Sequence, residues 1–501
     1  MQSIFEQSSP FPELCQLSIK DLIEKIESRK LTCSELIDQY LERIHYLQKQ
    51  YQLNAFITLL EKQSLEEAKL CDEELQKGQK RGALHGIPIA IKDNLEMAHV
   101  RTTAGTAILA ENSPTEDATV IQKLKQAGAI IIGKTNMHEL AFGITNKNPH
   151  YGDAKNPYDL NKIPGGSSGG SAVAVAAGLC AAAIGTDTGS SIRIPSSLCG
   201  VVGLKPTLGK VGRGGLIYLS TTFDCIGPIT RCTEDTKLLL EAIQGDDNRD
   251  KAELSSTSAQ TKLIPLPCKT SLNPSHSNHS KTNTKHIGLL TPYATDDLDN
   301  EVSRLFQQTI EKLSLSNNFK IHPISLPNID QLVPAGFTIC LAETVHLLKN
   351  YLNNLSSPIE LEDVINKFGN DVKQAIGEQY GQADSKPKSG YEYLDALNNF
   401  REPFNNAVSQ IMQHLDAIIT PTTPLPAIPM SESEETWLNG ESVDTFMTFI
   451  RYTLIANMTG RPAISIPMGI TQHNLPVGVQ LIGHCWQDEE LIKLAEELNR
   501  L

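Results

Sequence analysis

Two glycine-serine loops separated by a short apolar segment constrain the fold of this chain more than any other feature. The first loop reads Gly165-Gly-Ser-Ser-Gly-Gly-Ser171, and the second reads Gly185-Thr-Asp-Thr-Gly-Ser-Ser-Ile-Arg-Ile-Pro195. The alanine-rich segment between them, residues 172–183, is too apolar for a linker and too short to span a membrane. Both loops are therefore predicted to belong to one packed core.

A third element lies upstream, where an alternating apolar run ends in a lysine. Residues 87–91 read Ile-Pro-Ile-Ala-Ile, as on a strand, and Lys92 follows. A lysine and several serines, without an obvious histidine base, indicate Ser-Lys hydrolytic chemistry. Lys92 can take a proton from a serine only if burial keeps its amine neutral. The alternative is a strand-end lysine paired with Asp93 or Asp187, and these residues alone favour neither interpretation.

The second loop offers the better context for a serine nucleophile. Residues 181–184 predict a strand and the residues from Ile192 onward predict a helix, which places Ser191 at the junction. Unpaired backbone N–H groups near a helix start can hold the oxyanion that forms in acyl transfer. We expect these donors to be the N–H groups of Thr188, Gly189, Ser190 and Ser191.

The first loop is compatible with several interpretations. A phosphate loop requires a lysine after the glycine pair, and a flexible linker would not lead at once into the apolar helix pattern of 172–176. The nucleophile-elbow pattern Gly-x-Ser-x-Gly occurs twice, centred on Ser167 and on Ser168. An elbow follows a strand, whereas residues 156–164 are typical of turns. The fourth interpretation combines both loops with Lys92.

Composition narrows the class of protein. The 501 residues carry a net charge of −14, which argues against nucleic acid as a direct ligand. No uninterrupted stretch of about 18 apolar residues occurs and residues 1–20 lack a secretion signal, so we expect a cytoplasmic protein without a membrane. The ten cysteines include no Cys-x-x-Cys pair and are expected to be reduced. His138 and Glu139 could ligate a metal but have no partner cluster, so neither a metal nor another cofactor is expected.

The chain divides by pattern into four parts. Residues 1–80 predict an N-terminal helical scaffold packed on the main domain, with a capping serine or threonine before each of its first two helices. Residues 81–245 alternate short apolar runs with helices, which is typical of a mostly parallel sheet. Residues 246–286 are rich in Ser, Thr, Asn and Lys and predict a disordered insertion. Residues 287–501 return to strands and are expected to complete the sheet and the substrate pocket.

Taken together, these motifs resemble the amidase signature family, whose hallmark is a Gly-Gly-Ser-Ser-Gly-Gly loop followed by Gly-Ser-Ile-Arg-x-Pro. Further similar stretches begin at Gly86 (Gly-Ile-Pro-Ile-Ala-Ile-Lys-Asp-Asn), Gly133 (Gly-Lys-Thr-Asn-Met-His-Glu-Leu), Gly200 (Gly-Val-Val-Gly-Leu-Lys-Pro) and Gly478 (Gly-Val-Gln-Leu-Ile-Gly). The resemblance covers nearly the whole chain except residues 246–286. It implies a single α/β domain with a central twisted, mixed and mostly parallel β-sheet flanked by helices.

The resemblance also implies a Ser-cisSer-Lys triad. Its nucleophile falls on Ser191, its bridging serine on Ser167 and its lysine on Lys92. The family's spacing between the two serines selects Ser167 and leaves Ser168 as a neighbouring support. The peptide bond between Gly166 and Ser167 would be cis, and the Ser167 hydroxyl would pass a proton between Ser191 and Lys92.

Five further residues are expected close to this triad. Asp187 and Arg193 are predicted to brace the second loop as a charge pair rather than to touch the substrate. By resemblance, the acyl side of the site is lined by Ala141, Phe142 and Gly143.

One position departs from the family pattern. The family usually has glycine where this chain has Ser190. If that position required φ > 0, a serine would cost on the order of 1 kcal/mol and could narrow the pocket.

The family contains small-molecule amide hydrolases and the A subunit of the amidotransferase that acts on Glu-tRNA(Gln). The second loop and residues 136–145 look closer to indoleacetamide and mandelamide hydrolases. The transferase subunit typically has an arginine pair in a Val-Lys-Arg-Arg-Ile stretch, whereas the counterpart here is Val372-Lys-Gln-Ala-Ile376.

We therefore expect a serine amidase that converts a small carboxylic acid amide to the acid and ammonia through an acyl-enzyme. Urea derivatives are another substrate class within the family. The alternatives are a glutaminase A subunit of the amidotransferase and a catalytically silent binding or scaffold protein. The two N-terminal helices are compatible with a homodimer.

Overall fold

Apolar runs of four to eight residues form the strands of one large sheet. The computed structural model describes Ile4 and residues 14–245, 247–250, 284–379 and 389–501. The strands of the sheet are β1 (Phe56–Leu59), β2 (Pro88–Lys92), β3 (Ile130–Thr135), β4 (Ala182–Asp187), β5 (Val202–Lys205), β6 (Cys225–Thr230), β7 (Lys285–Leu290), β8 (Phe319–Ile324), β9 (Ala417–Pro421), β12 (Ala463–Ile470) and β13 (Pro476–Ile482). A separate hairpin consists of β10 (Glu435–Leu438) and β11 (Glu441–Asp444).

The eleven strands follow the order β1-β3-β2-β4-β6-β5-β12-β13-β9-β7-β8. The predicted mixed sheet is confirmed, but parallel pairs are the minority. Four neighbouring pairs are parallel, β2 with β3 and β4 and β7 with β8 and β9, and the other six are antiparallel. The short turn between β12 and β13 can join only antiparallel neighbours, because a parallel crossover needs a dozen or more residues.

Helices flank the sheet. They are α1 (Ile19–Glu27), α2 (Cys33–Tyr51), α3 (Glu61–Gln76), α4 (Thr119–Gln126), α5 (Gly169–Ala176), α6 (Arg193–Leu198), α7 (Thr233–Ile243), α8 (Asn300–Leu315), α9 (Leu332–Asn353), α10 (Leu361–Val364), α11 (Asn370–Gln379), α12 (Gly390–Asp395), α13 (Glu402–Met412), α14 (Thr445–Ile450), α15 (Leu454–Thr459) and α16 (Asp488–Asn499). Ser18 and Thr32 cap α1 and α2 through capping boxes, as the sequence predicts.

The apolar segment between the two glycine-serine loops lies inside the core. Its first half completes α5, and its second half leads into β4. α5 packs on β2 and β4, and Ala172, Val173 and Ala174 are fully buried there. The segment therefore fixes the two loops at its ends relative to the strand that carries Lys92.

Most of the predicted insertion, residues 251–283, lies outside the described residues. At the N-terminal end of the insertion, residues 247–250 follow α7. At its C-terminal end, β7 begins at Lys285. Asp250 binds Arg213 in a buried ion pair of 2.8 Å. This ion pair joins the N-terminal end of the insertion to the main domain.

Among the described residues, eight cysteines are free thiols and six of them are buried. Cys485 is disulfide-bonded. The expectation of reduced cysteines therefore holds for the eight and is wrong for Cys485.

Within the described part of the chain, one helical stretch is long and apolar enough to cross a bilayer by length and composition. It runs from Ile329 to Asn353, and 44% of its most apolar window is buried inside the protein. This is weak support for a membrane segment, because core helices meet the same criteria.

We predict that the central strand β12 contributes strongly to stability. Ile464 is fully buried on this strand, whereas Ile470, at its end, is 47% exposed. Ile464→Ala should lower the free energy of unfolding by about 2–5 kcal/mol, because it leaves a cavity in the core. Ile470→Ala, the matched control, should change it by about 0.5 kcal/mol or less. Urea unfolding followed by circular dichroism measures both, and equal effects would contradict the assignment of β12 to the core.

Candidate active site

Lys92 ends β2 at the carboxyl edge of the sheet, where β2 lies between the parallel strands β3 and β4. Its side chain is fully buried. The amine Nζ lies 2.8 Å from Ser167 Oγ and 2.8 Å from Thr186 Oγ1, and 3.4 Å from the Thr186 carbonyl oxygen. The structure therefore brings Lys92 and Ser167 into direct contact.

Neither carboxylate that the sequence offers as a partner for Lys92 binds it. Asp93 lies 2.9 Å from the buried amine of Lys134, and Asp187 pairs with Arg193. The hydrogen-bond partners of Lys92 in the described residues are thus neutral oxygens.

Burial without a paired carboxylate lowers the pKa of Lys92 to about 7. The carboxylates of Asp224 and Asp187 act in the opposite direction, but their attraction is smaller than the effect of desolvation. A large fraction of the Lys92 amine is therefore neutral at neutral pH. A neutral amine can accept a proton, which is what a general base requires.

Thr186 and Asn94 belong to this site, and the sequence analysis missed both. Thr186 Oγ1 accepts hydrogen bonds from Lys92 Nζ and, at 3.1 Å, from Asn94 Nδ2. Asn94 ends the family stretch that begins at Gly86, and Thr186 lies in the second glycine-serine loop. Their positions within these motifs were the signal in the sequence that could have indicated a role at the site. Only the three-dimensional structure shows that the Thr186 hydroxyl contacts both the Lys92 amine and the Asn94 amide.

The first loop approaches the second through Ser168. Its backbone N–H donates to the Ser191 carbonyl at 3.2 Å, and its hydroxyl donates to the Thr186 carbonyl at 3.1 Å. The peptide bond between Gly166 and Ser167 is cis. A Cβ atom on Gly170 would lie 2.3 Å from the Asn136 carbonyl oxygen, which explains a glycine at that position.

The second loop leaves backbone donors free beside Ser191. The N–H groups of Gly189, Ser190 and Ser191 make no hydrogen bond within the described residues, whereas the N–H of Ile192 donates to Asp187 Oδ2 at 3.1 Å. The loop can therefore offer three N–H donors to an anion.

Ser190 does not adopt the left-handed backbone conformation that would favour glycine. The conformational cost considered for a serine at this position therefore does not arise.

Asp187 and Arg193 form a bidentate, fully buried ion pair across the loop, with N–O distances of 2.8 and 3.0 Å. Burial alone would raise the pKa of Asp187, but the Arg193 guanidinium and the Asn457 amide lower it below its usual value. Arg193 also donates to the Thr453 carbonyl and to Gln480 Oε1. The pair braces the loop and lies apart from the cavity lining.

A cavity opens beside Ser191. The residues expected on the acyl side, Ala141, Phe142 and Gly143, line it. The other lining residues were not identified from the sequence: Ile144, Leu219, Phe223, Gly336, Phe337, Cys340, Phe446, Ile450 and Leu454, together with Thr188, Gly189, Ser190 and Ser191 of the second loop. No charged side chain is among the described residues that line this cavity.

His138 and Glu139 each bind another residue. His138 Nε2 lies 2.6 Å from Asp371 Oδ2, and Glu139 Oε1 lies 2.8 Å from His150 Nε2. The His138 ring packs so closely on Gly143 that a Cβ there would lie 2.2 Å from it. His138 thus supports the wall of the cavity.

Within the described residues, one group has the chemistry and spacing of a metal site: Cys71, Glu74 and His85. Arg81 already holds both carboxylate oxygens of Glu74, at 2.6 and 2.9 Å. His85 is also engaged, because its Nε2 lies 3.0 Å from the Cys71 carbonyl oxygen. The group therefore does not present a free set of ligands.

Comparison with known proteins gives the same family along nearly the whole chain. The profile of the family described as Amidase matches residues 35–492. The A subunit of the glutamyl-tRNA(Gln) amidotransferase from Carboxydothermus hydrogenoformans is 36% identical over 498 residues, covering 96% of each chain. The corresponding protein of Alkaliphilus metalliredigens is 35% identical, covering 97% of this chain and 96% of that protein.

Solved structures agree with this assignment. The peptide amidase of Stenotrophomonas maltophilia superimposes with a TM-score of 0.80 and 30% identity, covering 98% of both chains. The A subunit of the Thermotoga maritima glutamyl-tRNA(Gln) amidotransferase gives a TM-score of 0.72 and 28% identity, covering 96% of this chain and 94% of that one. The chain therefore belongs to the amidase signature family and is a hydrolase that acts on amide C–N bonds.

Proposed function

We propose that this protein is a serine amidase that hydrolyses a small amide with an apolar acyl group to the acid and ammonia. The observation that carries this proposal is the cavity beside Ser191, whose described lining is mostly apolar or aromatic and carries no charge. An apolar acyl group gains free energy in such a cavity, whereas a charged group would lose its hydration without a partner.

The proposed mechanism uses Lys92 as the base. Neutral Lys92 takes a proton from Ser167 as Ser167 takes one from Ser191, and Ser191 Oγ attacks the amide carbonyl. The negative charge that develops on the carbonyl oxygen is held by backbone N–H groups of the second loop, for which we propose Thr188, Gly189, Ser190 and Ser191.

The same relay then runs in reverse. The proton returns through Ser167 to the departing nitrogen, the C–N bond breaks, and ammonia leaves an acyl ester on Ser191. Water attacks this ester, its proton passes to the relay, and the acid is released with Ser191 regenerated. In this account Ser168, Asp187 and Arg193 position the two loops and do not contact the substrate.

The identity to the A subunits of amidotransferases favours a second candidate, a glutaminase that works with partner proteins. Glutamine carries an α-carboxylate and an α-ammonium group, and both need charged or strongly polar partners when buried. The described lining contains no charged side chain. The helix α11 carries Gln374 and Ala375 where the transferase stretch has two arginines, and none of its described residues lines the cavity.

A binding or scaffold protein is less well supported. Such a protein would gain nothing from a buried lysine beside Ser167 that has no carboxylate partner, because burial of an amine in that way is unfavourable. Catalysis explains that arrangement.

We predict that Ser191→Ala and Lys92→Ala each lower kcat/KM for phenylacetamide at least about a thousandfold, because each removes a member of the proton relay. Ammonia release measures the loss. Lys237→Ala, at an exposed lysine, is the matched control and should retain wild-type activity. Full activity of either triad variant would contradict the mechanism.

The activity should also depend on pH through Lys92. Below about pH 7 the amine gains a proton and kcat/KM should fall tenfold per pH unit, whereas above that pH it should level off. Burial also raises the pKa of Asp224, to about 6. Asp224→Asn therefore serves as the discriminating variant. The acid limb should persist in this variant but move to lower pH, because the Asp224 carboxylate raises the pKa of Lys92 and the amide does not. Disappearance of the limb would assign the titration to Asp224.

The substrate preference separates the two candidate functions. With the purified single chain, phenylacetamide and benzamide should be hydrolysed with a kcat/KM at least about a hundredfold above that of glutamine, because glutamine would bury two unpaired charges. Cleavage of glutamine alone, especially if it needed a co-purifying partner, would instead establish the glutaminase.

A further inference from the structure

Gly336 is a glycine inside a long helix, at a point where that helix forms part of the cavity wall. It lies within α9, is buried, and lines the cavity beside Ser191. A glycine inside a helix is less favourable than an alanine. Gly336 does not adopt the left-handed backbone conformation, so its own backbone gives no reason for a glycine here. The reason must lie in its surroundings.

The close neighbour of Gly336 is Leu454, the first residue of α15. A Cβ atom added at position 336 would lie 2.6 Å from Leu454 Cδ2 and 3.3 Å from both Cδ1 and Cγ. Carbon atoms in contact prefer a separation of about 3.5–4.0 Å, so an alanine at position 336 would force the leucine side chain to move. Gly336 therefore makes room for Leu454, which lines the same cavity.

The backbone around Leu454 is held in place by the buried ion pair of the second loop. The carbonyl of Thr453 accepts a hydrogen bond from Arg193 Nη1 at 2.6 Å. Asn457 accepts one from Arg193 Nη2 at 2.5 Å and donates one to Asp187 Oδ1 at 2.9 Å. A displaced Leu454 is therefore expected to yield by rotation of its side chain rather than by a shift of α15.

The cavity is the unfilled space into which that side chain can turn. Leu454 is buried, and its Cδ1 atom already lies beside the second loop, since a Cβ added at Gly189 would be 3.7 Å from it. Protein interiors are close-packed, so a side chain that is pushed away from α9 finds room only where no atoms are present. With an alanine at position 336, Leu454 would take up part of the space proposed for the acyl group.

We propose that Gly336 is a specificity-determining residue, because by carrying no side chain it keeps Leu454 out of the space that the acyl group occupies. This inference rests on the proposed function. Neither Gly336 nor Leu454 belongs to the proton relay, so the pair decides which acyl group fits rather than how the relay works. An acyl group with a ring needs the space that Leu454 leaves free, and a short aliphatic acyl group needs less of it.

Phenylacetamide and propanamide test this proposal because their acyl groups differ in size. Gly336→Ala should lower the ratio of kcat/KM for phenylacetamide to kcat/KM for propanamide at least about tenfold, the discrimination that one methylene-sized group can produce in an apolar pocket. The value for propanamide should change little, because its acyl group needs less of the cavity. Ammonia release measures both values, and thermal melting verifies that the variant folds.

The effect of Gly336→Ala should vanish when Leu454 is shortened. In Leu454→Ala no Cδ atom remains for a Cβ at position 336 to meet, so adding Gly336→Ala should leave the ratio where Leu454→Ala alone places it. Non-additivity of this kind is expected of residues in contact. Leu454→Val, which also lacks the Cδ atoms, repeats the test if thermal melting shows that Leu454→Ala does not fold.

Gly377→Ala is the matched control. Gly377 also lies within a helix, α11, where an added Cβ would meet nothing within 4 Å, and it is not among the residues that line the cavity. This variant should keep the wild-type ratio. An unchanged ratio in Gly336→Ala, an equal loss with both amides, or a loss that persists beside Leu454→Ala would overturn the role of Gly336. If the wild type hydrolysed neither amide, the proposed function itself would fail.

Discussion

The burial of the Lys92 amine without a carboxylate partner is the constraint on which the chemistry of this site depends. β2 is flanked by two parallel strands, so its last side chain is enclosed on both sides. Lys134 lies near the end of the neighbouring strand β3 and is also buried, but its amine is 2.9 Å from Asp93. The fold thus contains two buried lysines on adjacent strands, one paired with a carboxylate and one held by neutral oxygens. The second lies within hydrogen-bond distance of the Ser167 hydroxyl, which is the position that a general base requires.

The second loop complements this base through a charge pair that takes no part in the chemistry. Because Asp187 and Arg193 satisfy one another, the loop is fixed while the N–H groups before Ile192 stay unpaired. Donors held in place in this way need no reorganisation when negative charge develops, which is why they are effective at a transition state. The cavity beyond them is apolar, so the shape and polarity of the acyl group, rather than its charge, are expected to decide which amides are accepted.

Much of the arrangement could be predicted from the sequence because its motifs are contiguous. The alternation at 87–91 predicts a strand that delivers Lys92, and the two loops must lie together because the short segment between them is one helix and one strand. The proportion of parallel pairs was predicted wrongly. Even within 81–245, β6 pairs antiparallel with both β4 and β5, because the alternation of apolar runs with helices does not fix the direction of a strand.

The cavity walls could not be predicted in the same way. Phe337 and Phe446 come from helices far along the chain, and helical periodicity shows that a face is apolar without showing what it covers. Thr186 illustrates the same limit at short range, since the direction of a polar side chain depends on strand register rather than on its motif. Ser190 departs from the family pattern in the sequence, but its ordinary backbone conformation emerges only from the three-dimensional structure.

The measurement that tests this account most directly is an NMR titration of the Lys92 amine in protein with ¹⁵N-labelled lysine side chains. Lys92→Met would identify the signal by its loss. The account predicts that the amine loses its proton with a midpoint at about pH 7. An amine that stayed protonated up to about pH 10, the ordinary range for lysine, would contradict the role of Lys92 as the base.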